Sequence, residues 1–291
     1  MCGITGALST IDTDHSFIDR MTESLRHRGP NGRGTAVFDE RCEILTLDVD
    51  NQNETIVSPS SFGRLSLGHR RLSVIDPEHS SNQPMGYLQG RYWVVFNGEI
   101  YNYIELKSEL EELGHVFLTK SDTEVILAAY HQWGIECQNK FNGMWAFCII
   151  DRAERKLLLS RDRFGEKPLY YSVCDDVLYF ASEIKAIFSS DEINSEITTE
   201  KASLFIKNGP VEYSKETIYE NIFNLMPGCY LHISLDDDLN LMTQKKYWAL
   251  TINHSHERFN KEKALIFAST YYELLKDSVR LRLRSDVSLG S

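Results

Sequence analysis

The chain has 291 residues, of which 42 are acidic and 31 are basic, so that its formal net charge is −11 at pH 7. A chain of this length can bury a full hydrophobic core, as one large domain or as one domain with part of another. The acidic balance argues against nucleic acid or an anionic membrane as a general partner, since both select basic surfaces. No apolar run approaches the roughly 20 residues that span a bilayer.

The six cysteines are scattered, with no Cys-x-x-Cys pair and no Cys/His cluster at zinc spacing. The N-terminus lacks the basic residues and the longer apolar stretch of a secretory signal. We therefore expect reduced thiols in a cytoplasmic protein, most of them small and buried, and no metal site.

The first two-thirds of the chain alternates strand-like runs with a few helices. A β-rich run over Tyr92–Phe96 is followed by Asn97-Gly98, a pair that predicts a turn. The next apolar periodicity predicts a helix that Asn102 caps, with Glu105 three residues on, and that Gly114 ends.

A short strand is predicted at Val116–Leu118, and a second helix follows it. Ser121 and Glu124 form a capping-box pattern at its start, and Gly134 ends it. Four closely spaced strands come next and are most simply antiparallel. Sheets with helices packed outside them predict an α+β layered architecture. The four runs are "MWAFCIID", "KLLLSRD", "PLYYSV" and "VLYFASE".

The last third contains a strand entered through a Pro-Gly turn ("LMPGCYLHISL") and a polar, linker-like stretch ("TINHSHERFNKEK"). Apolar residues then recur at helical spacing and predict a helix from about Asn260 to Arg284. One amphipathic helix and a few residues cannot enclose a core, so a second domain is predicted to begin here. The predicted organisation is a first domain over 1–210, connecting strands and a linker over 211–254, and the start of a truncated second domain over 255–291.

Cys2 stands directly behind Met1. If Met1 is removed, Cys2 gains a free α-amine with a pKa of about 8, which can take the proton of the neighbouring thiol. That arrangement is the N-terminal form of a nucleophile with its own base. By position alone, a small buried cysteine on a first strand is equally typical.

Three further features fit acyl transfer from an amino-acid amide. Asn97 and Gly98 can present two donors to an oxyanion, although Asn-Gly is also a common hairpin turn. Arg71 can bind a carboxylate through two parallel N–H bonds. Glu99 and Asp122 can hold an ammonium group. A structural ion pair of Arg71 with Glu99, and favourable placement of Asp122 at a helix start, are the more common alternatives.

Several motifs occur together, and with them the chain resembles the class II glutamine amidotransferase half of glutamine-hydrolysing asparagine synthetases. "SRDRFGEKPLYY" and "FASEIKAI" resemble the asparagine synthetase branch specifically. The shared motifs, in chain order, are Cys2-Gly3-Ile4, "RHRGPNG" (Arg26 to Gly32), "GHRRLSVID" (Gly68 to Asp76), "NGEIYN" (Asn97 to Asn102) and "SDTEVI" (Ser121 to Ile126).

This resemblance implies a four-layer αββα sandwich of the N-terminal-nucleophile type, with Cys2 on its first strand. It also implies the catalytic roles. Cys2 would attack the side-chain amide of glutamine, and Asn97 and Gly98 would form the oxyanion hole.

The resemblance further implies the residues that bind glutamine. Arg71 would hold the α-carboxylate, Glu99 and Asp122 would hold the α-ammonium group, and Leu72 and Ile75 would shape the pocket wall. The polar region from Cys42 to Phe62 looks like an insertion relative to shorter relatives.

The expected activity is hydrolysis of glutamine to glutamate and ammonia through a thioester on Cys2. In the intact parent, ammonia would serve the ATP-dependent amidation of aspartate to asparagine by a synthetase domain in cis. "LRLRSDVSLGS" resembles the segment that leads to that domain's ATP loop, so ATP and Mg²⁺ are expected in the missing part and no cofactor in this chain. A different carboxylate as acceptor, a catalytically idle regulatory domain, and a homodimeric assembly remain open.

Overall fold

The computed structural model describes residues 1–50, 60–194, 196–209, 214–236, 238–252 and 260–288. Part of the insertion predicted between Cys42 and Phe62 therefore lies outside the described residues, and so does most of the linker-like stretch predicted after Thr251. Within the insertion, residues Ile44–Val49 form a strand.

Thirteen strands occur among the described residues before the C-terminal helix. In chain order these are β1 (Gly3–Asp14), β2 (Gly32–Phe38), β3 (Ile44–Val49), β4 (Phe62–Arg71), β5 (Met85–Tyr87), β6 (Tyr92–Ile100), β7 (Gly143–Asp151), β8 (Lys156–Arg161), β9 (Tyr170–Cys174), β10 (Val177–Ala181), β11 (Ile222–Asn224), β12 (Cys229–Ser234) and β13 (Lys245–Lys246).

The helices lie between these strands and at the end of the chain. In chain order they are α1 (Phe17–Ser24), α2 (Tyr103–Glu112), α3 (Asp122–Trp133), α4 (Cys137–Lys140), α5 (Ile184–Phe188), α6 (Thr199–Asn208) and α7 (Lys261–Arg282). Among the described residues, no helix combines the length and the apolar character needed to cross a membrane.

Two antiparallel sheets face each other at the centre of the molecule. One has the strand order β11-β9-β10-β1-β4-β2-β3, and the other has the order β13-β12-β8-β7-β6-β5. Alternating side chains of both sheets meet between them, as Leu67, Val95 and Phe180 do, and form the largest buried apolar cluster.

The outer faces of both sheets are covered by helices. Helices α1 and α5 pack on the first sheet around Met21 and Ile187. Helices α2 and α3 pack on the second sheet around Leu110 and Val125. The structure is therefore the expected α+β sandwich of four layers, helix, sheet, sheet and helix.

The four closely spaced strands form antiparallel pairs as predicted, but they do not stay in one sheet. β7 pairs with β8 in one sheet, and β9 pairs with β10 in the other. The connection between β8 and β9 crosses from sheet to sheet. β11 and β12 then join both sheets. Both strands lie in the part of the chain predicted as connecting strands and a linker, 211–254.

The strand predicted at Val116–Leu118 is wrong. Val116 and Leu118 are exposed, and this stretch makes no ladder. Instead, the N–H groups of Leu118 and Thr119 donate to the carboxylate of Glu124 at 2.9 and 2.7 Å. Glu124 thus orders the entry to α3, while the Ser121 hydroxyl caps the helix by accepting from Thr123 N–H.

The predicted cap of the first helix is also wrong, although α2 itself forms where it was predicted. The Asn102 side chain makes no cap bond. It accepts from the N–H of Asn142 at 2.8 Å and donates to the carbonyl of Lys140 at 3.0 Å, which ties the helix start to the chain before β7. Long-range pairing outcompetes the local cap at this position.

All six cysteines are free thiols. Cys42, Cys137, Cys148 and Cys229 are buried, whereas Cys2 and Cys174 are partly exposed. Burial raises the pKa of each of the four buried thiols.

Candidate active site

The site forms along one edge of β6. On its other edge, β6 pairs with β7 over its whole length, from Tyr92 opposite Asp151 to Ile100 opposite Gly143. On the site edge, the short β5 pairs only with Tyr92–Val94. The backbone from Phe96 to Ile100 is therefore available on this edge to side chains or to a ligand.

The turn predicted at Asn97-Gly98 is wrong, because both residues lie inside β6. They pair with Ala146 and Trp145 of β7. A Cβ atom on Gly98 would lie 2.1 Å from the carbonyl oxygen of Met144. Glycine is therefore required here for close strand packing, and the chain leaves the strand only after Ile100.

Side chains bind most of the open backbone groups of β6. Phe96 N–H donates to Gln83 Oε1 at 2.6 Å, and Phe96 C=O accepts from His69 Nε2 at 3.1 Å. Ile100 N–H donates to Asp122 Oδ2 at 3.0 Å. Since N–H groups alternate along a strand, that of Gly98 points to this same edge, between the two bonded ones.

Asn97 supplies a second free donor beside Gly98. Its side chain is fully buried, and neither its amide nitrogen nor its amide oxygen has a hydrogen-bond partner. An unpaired buried amide destabilises the folded state, so the stability of the fold does not explain why asparagine stands at this position. A ligand oxygen in the adjacent cavity would supply the missing partner.

One cavity at this edge, about 610 Å³ including its open mouth, contacts every residue predicted for the site. Met1, Gln83, Thr123 and Lys167 also line it. The predicted residues are Cys2, Arg71, Leu72, Ile75, Asn97, Gly98, Glu99 and Asp122.

Cys2 precedes β1 and places its sulfur against the end of β4. Leu72 N–H donates to Cys2 Sγ at 3.3 Å, and the Sγ lies 3.5 Å from Leu72 O. Arg28 Nε donates to the Cys2 carbonyl at 2.8 Å. Burial raises the pKa of the Cys2 thiol, so the sulfur is protonated near neutral pH and needs a base when it attacks.

The amino terminus lies in the same cavity. Burial lowers the pKa of the Met1 amino group, and the positive charges of Arg28 and Lys167 lower it further. Lys167 is itself buried, and its Nζ lies 2.9 Å from Met1 Sδ. An amine held here is neutral in a larger fraction of molecules near pH 7 than one in water, and only the neutral form can take a proton.

Arg71 is buried at the end of β4 and is fixed by neighbouring oxygens. Its Nη1 donates to the Glu78 carbonyl at 2.7 Å and to Asn82 Oδ1 at 2.8 Å, and its Nη2 donates to the Asp76 carbonyl. These bonds use three of the five guanidinium N–H groups. The Nε–H and one Nη2–H remain for a ligand, and such donors suit a carboxylate.

Two carboxyl groups stand at the other side of the cavity. Asp122 is the first residue of α3 and is buried; burial and the neighbouring Glu99 raise its pKa to about 7. Burial also raises the pKa of Glu99, while Lys167 opposes that shift. A cationic group of a ligand would favour the ionised form of both.

Sequence reasoning missed three residues of this site. His69 and Lys167 fall within the quoted motifs "GHRRLSVID" and "SRDRFGEKPLYY", but nothing local gave either one a role. Burial lowers the pKa of His69 to about 3, so it is a neutral donor to Phe96. Gln83 carried no signal, because its function depends on where β5 ends.

Comparison with known proteins identifies the class. The family model of the glutamine amidotransferase domain matches residues 52–248, and the chain therefore belongs to this family. Two solved structures have the same fold at 21% identity. They are the glutamine phosphoribosylpyrophosphate amidotransferase of Bacillus subtilis, with a TM-score of 0.61, and a structure titled as the allosteric regulatory enzyme of purine biosynthesis, with a TM-score of 0.62. Each match covers 87% of this chain and 50% of the other.

Within the family, the chain is most informatively compared with asparagine synthetases. It is 33% identical over its whole length to glutamine-hydrolysing asparagine synthetase 1 of Bacillus subtilis, of which it covers 41%. It is also 33% identical to the putative glutamine-hydrolysing asparagine synthetase 2 of Methanocaldococcus jannaschii, of which it covers 54%. The chain thus spans about half the length of these relatives, and the resemblance seen in its motifs is confirmed.

Proposed function

We propose that this chain hydrolyses the side-chain amide of glutamine to glutamate and ammonia, with Cys2 as the nucleophile. The observation that carries the proposal is the open edge of β6. There the unpartnered Asn97 amide and the Gly98 N–H border the same cavity as the Cys2 sulfur. Two preorganised donors beside a thiol are what an acyl-transfer site requires.

The remaining side chains fit the two ends of an α-amino acid. The remaining Nε–H and Nη2–H groups of Arg71 donate to its carboxylate. Asp122 and Glu99 accept its ammonium group. Leu72 and Ile75 contact the carbon chain between the ends. A glutamine held in this way directs its amide toward β6.

The chemistry begins after removal of Met1. The freed α-amine of Cys2 takes the thiol proton as the sulfur attacks the amide carbon, and the new oxyanion accepts from Asn97 and Gly98. The tetrahedral intermediate collapses when the α-ammonium returns that proton to the leaving nitrogen, which departs as ammonia. The acyl group remains on the sulfur as a thioester.

Water completes the cycle. The α-amine takes a proton from water, the hydroxide formed attacks the thioester carbon, and the same two donors hold the second oxyanion. The carbon–sulfur bond breaks, the sulfur regains its proton, and glutamate leaves. Burial and the positive charges of Arg28 and Lys167 lower the pKa of the amino group at Met1, and they would act in the same direction on the amine freed at Cys2.

We further propose a use for the ammonia. The relatives named above are glutamine-hydrolysing asparagine synthetases about twice as long as this chain. In a longer parent protein of this kind, ammonia would pass to a synthetase domain that uses ATP and Mg²⁺ to amidate aspartate.

The test is glutamate release by Cys2→Ala, with Cys174→Ala as a matched control at the other partly exposed thiol. We expect no detectable turnover in Cys2→Ala and unchanged turnover in Cys174→Ala. The active protein should lack Met1 by intact mass. Diazo-oxo-norleucine, a glutamine-like electrophile, should modify Cys2 alone. Wild-type turnover in Cys2→Ala would refute the nucleophile, and the absence of an adduct would favour an idle domain.

A further inference from the structure

The segment that follows α7 returns to the glutamine cavity. Asp286 N–H donates to the Val74 carbonyl at 3.0 Å, and its carboxylate Oδ2 accepts from Asp76 N–H at 2.8 Å. Val74 and Asp76 belong to the loop between β4 and β5 that directly follows Arg71. A residue 210 positions away in the sequence thus forms a two-bond bridge to this loop.

Arg284 anchors the same segment beside the end of β6. Its Nη1 donates to the Tyr101 carbonyl and to Glu105 Oε2, both at 2.6 Å, and its Nη2 donates to Glu105 Oε1 at 2.5 Å. The pair lowers the pKa of Glu105. This paired-fork geometry is the most directional that arginine makes, so the backbone before Asp286 is held in register with the site.

Asp76 is where this segment meets the substrate-binding machinery. Its φ of +46° is uncommon for a residue with a side chain, and such a conformation persists when its surroundings fix it. The Asp76 carbonyl accepts from Arg71 Nη2. Its carboxylate accepts from Ser81 Oγ at 2.7 Å and from Lys120 N–H at 2.8 Å. Its remaining polar group, the N–H, is the one that Asp286 binds.

We propose that Asp286 is a positioning residue for glutamine binding. Its bond to Asp76 N–H holds the strained loop in the conformation in which the Asp76 carbonyl aims the Arg71 guanidinium at the α-carboxylate of glutamine. The inference rests on the proposed function and extends it. The segment after α7 and the glutamine pocket are then coupled, and by linkage whatever fixes this segment tightens glutamine binding, and glutamine in turn fixes the segment.

The test compares three variants of the full chain. Asp286→Ala removes the acceptor, and Asp286→Asn keeps an oxygen that can accept from Asp76 N–H. Asp277→Ala is the matched control, because Asp277 forms an exposed ion pair with Arg280 on α7 at 2.7 Å. We expect Asp286→Ala to raise KM for glutamine about fivefold with little change in kcat, which is the size expected for the net loss of one typical hydrogen bond. Asp286→Asn should restore most of the affinity, and Asp277→Ala should match wild type.

Two results would overturn the proposal: a wild-type KM in Asp286→Ala, or an equal rise in KM in Asp277→Ala. A second measurement keeps the test independent of turnover. Hydrogen exchange at the Asp76 amide should be faster in Asp286→Ala than in wild type, and an equal rate would also overturn the proposal. If the wild-type chain fails to hydrolyse glutamine, the proposed function is refuted instead. The exchange measurement would then still show whether Asp286 holds the Asp76 amide.

Discussion

The two edges of β6 belong to the same nine residues but differ in how their backbone groups are bonded. Against β7, every residue from Tyr92 to Ile100 has a partner across the ladder. Against β5, pairing stops at Val94, and single side chains take over. A buried backbone group must be bonded somewhere. Ending β5 early therefore leaves donors that only side chains or a substrate can satisfy.

The site on the open edge depends on the rigidity of the paired edge of β6. The ladder to β7 fixes the direction of each N–H group on the open edge, so the donors are aimed before a ligand arrives. Donors fixed in advance cost no reorganisation during reaction. Substitutions that act on one edge should therefore change folding, and those on the other should change catalysis.

The largest effect is expected at Gly98, on the ladder side. In Gly98→Ala, the new Cβ would meet the Met144 carbonyl at 2.1 Å, so the two strands must separate. We expect a loss of about 3 kcal/mol in the free energy of unfolding, measured by urea denaturation. The control is Gly32→Ala in β2, where the nearest atom is Asn82 Oδ1 at 3.5 Å. Equal stability of the two variants would contradict the packing argument.

Asn97 should show the opposite profile. Its amide makes no bond within the protein, so Asn97→Ala should leave the unfolding free energy nearly unchanged while kcat for glutamine falls about 100- to 1000-fold. Asn102→Ala is the counterpart, because both ends of that amide bind the chain before β7. It should lose about 1 kcal/mol of stability and keep its kcat. A wild-type kcat in Asn97→Ala would remove the oxyanion role.

The smallest effect is a dependence on pH at Asp122. Its pKa of about 7 means that the carboxyl is increasingly charged above neutrality. KM for glutamine should therefore fall about tenfold at most from pH 6 to 8 as the ammonium group gains its partner. Asp122→Asn should have a higher KM without this pH dependence. A flat wild-type profile would count against the assignment.

The same shift predicts a stability change of defined sign. The folded pKa lies above the unfolded value of 3.8, so the folded state binds the extra proton between the two values. The contribution of Asp122 to stability is complete below the unfolded pKa and is lost as pH rises through about 7. Thermal unfolding of Asp122→Asn over this range should lack that component.

The sequence predicted those parts of the fold that local patterns determine. The helical periodicity of α2, α3 and α7 and the closely spaced strand-like runs of β7 to β10 predicted these elements and the α+β class correctly. Asn97-Gly98 failed because turn propensity is a local preference, and pairing with β7 outweighed it. Val116–Leu118 failed because apolar composition does not show whether a strand edge is available to pair with.

The site divides in the same way. All eight predicted site residues line one cavity. They could be predicted because each belongs to a short motif that is recognisable in the sequence alone. Gln83 and Asp286 could not be predicted, because their contacts depend on how far β5 extends and where the chain goes after α7. Their roles come from long-range geometry that no window of sequence contains.

The distribution of the thiols has a practical consequence. Four of the six are sealed in the interior, and only Cys2 and Cys174 are open to reagents. A water-soluble alkylating agent applied to the native protein should thus modify two thiols, Cys2 in the pocket and Cys174 outside it. Labelling at Cys174 then serves as an internal reference. If glutamine slows labelling at Cys2 relative to Cys174, the ratio of the two rates reports the occupancy of the pocket by glutamine directly, without any coupled assay.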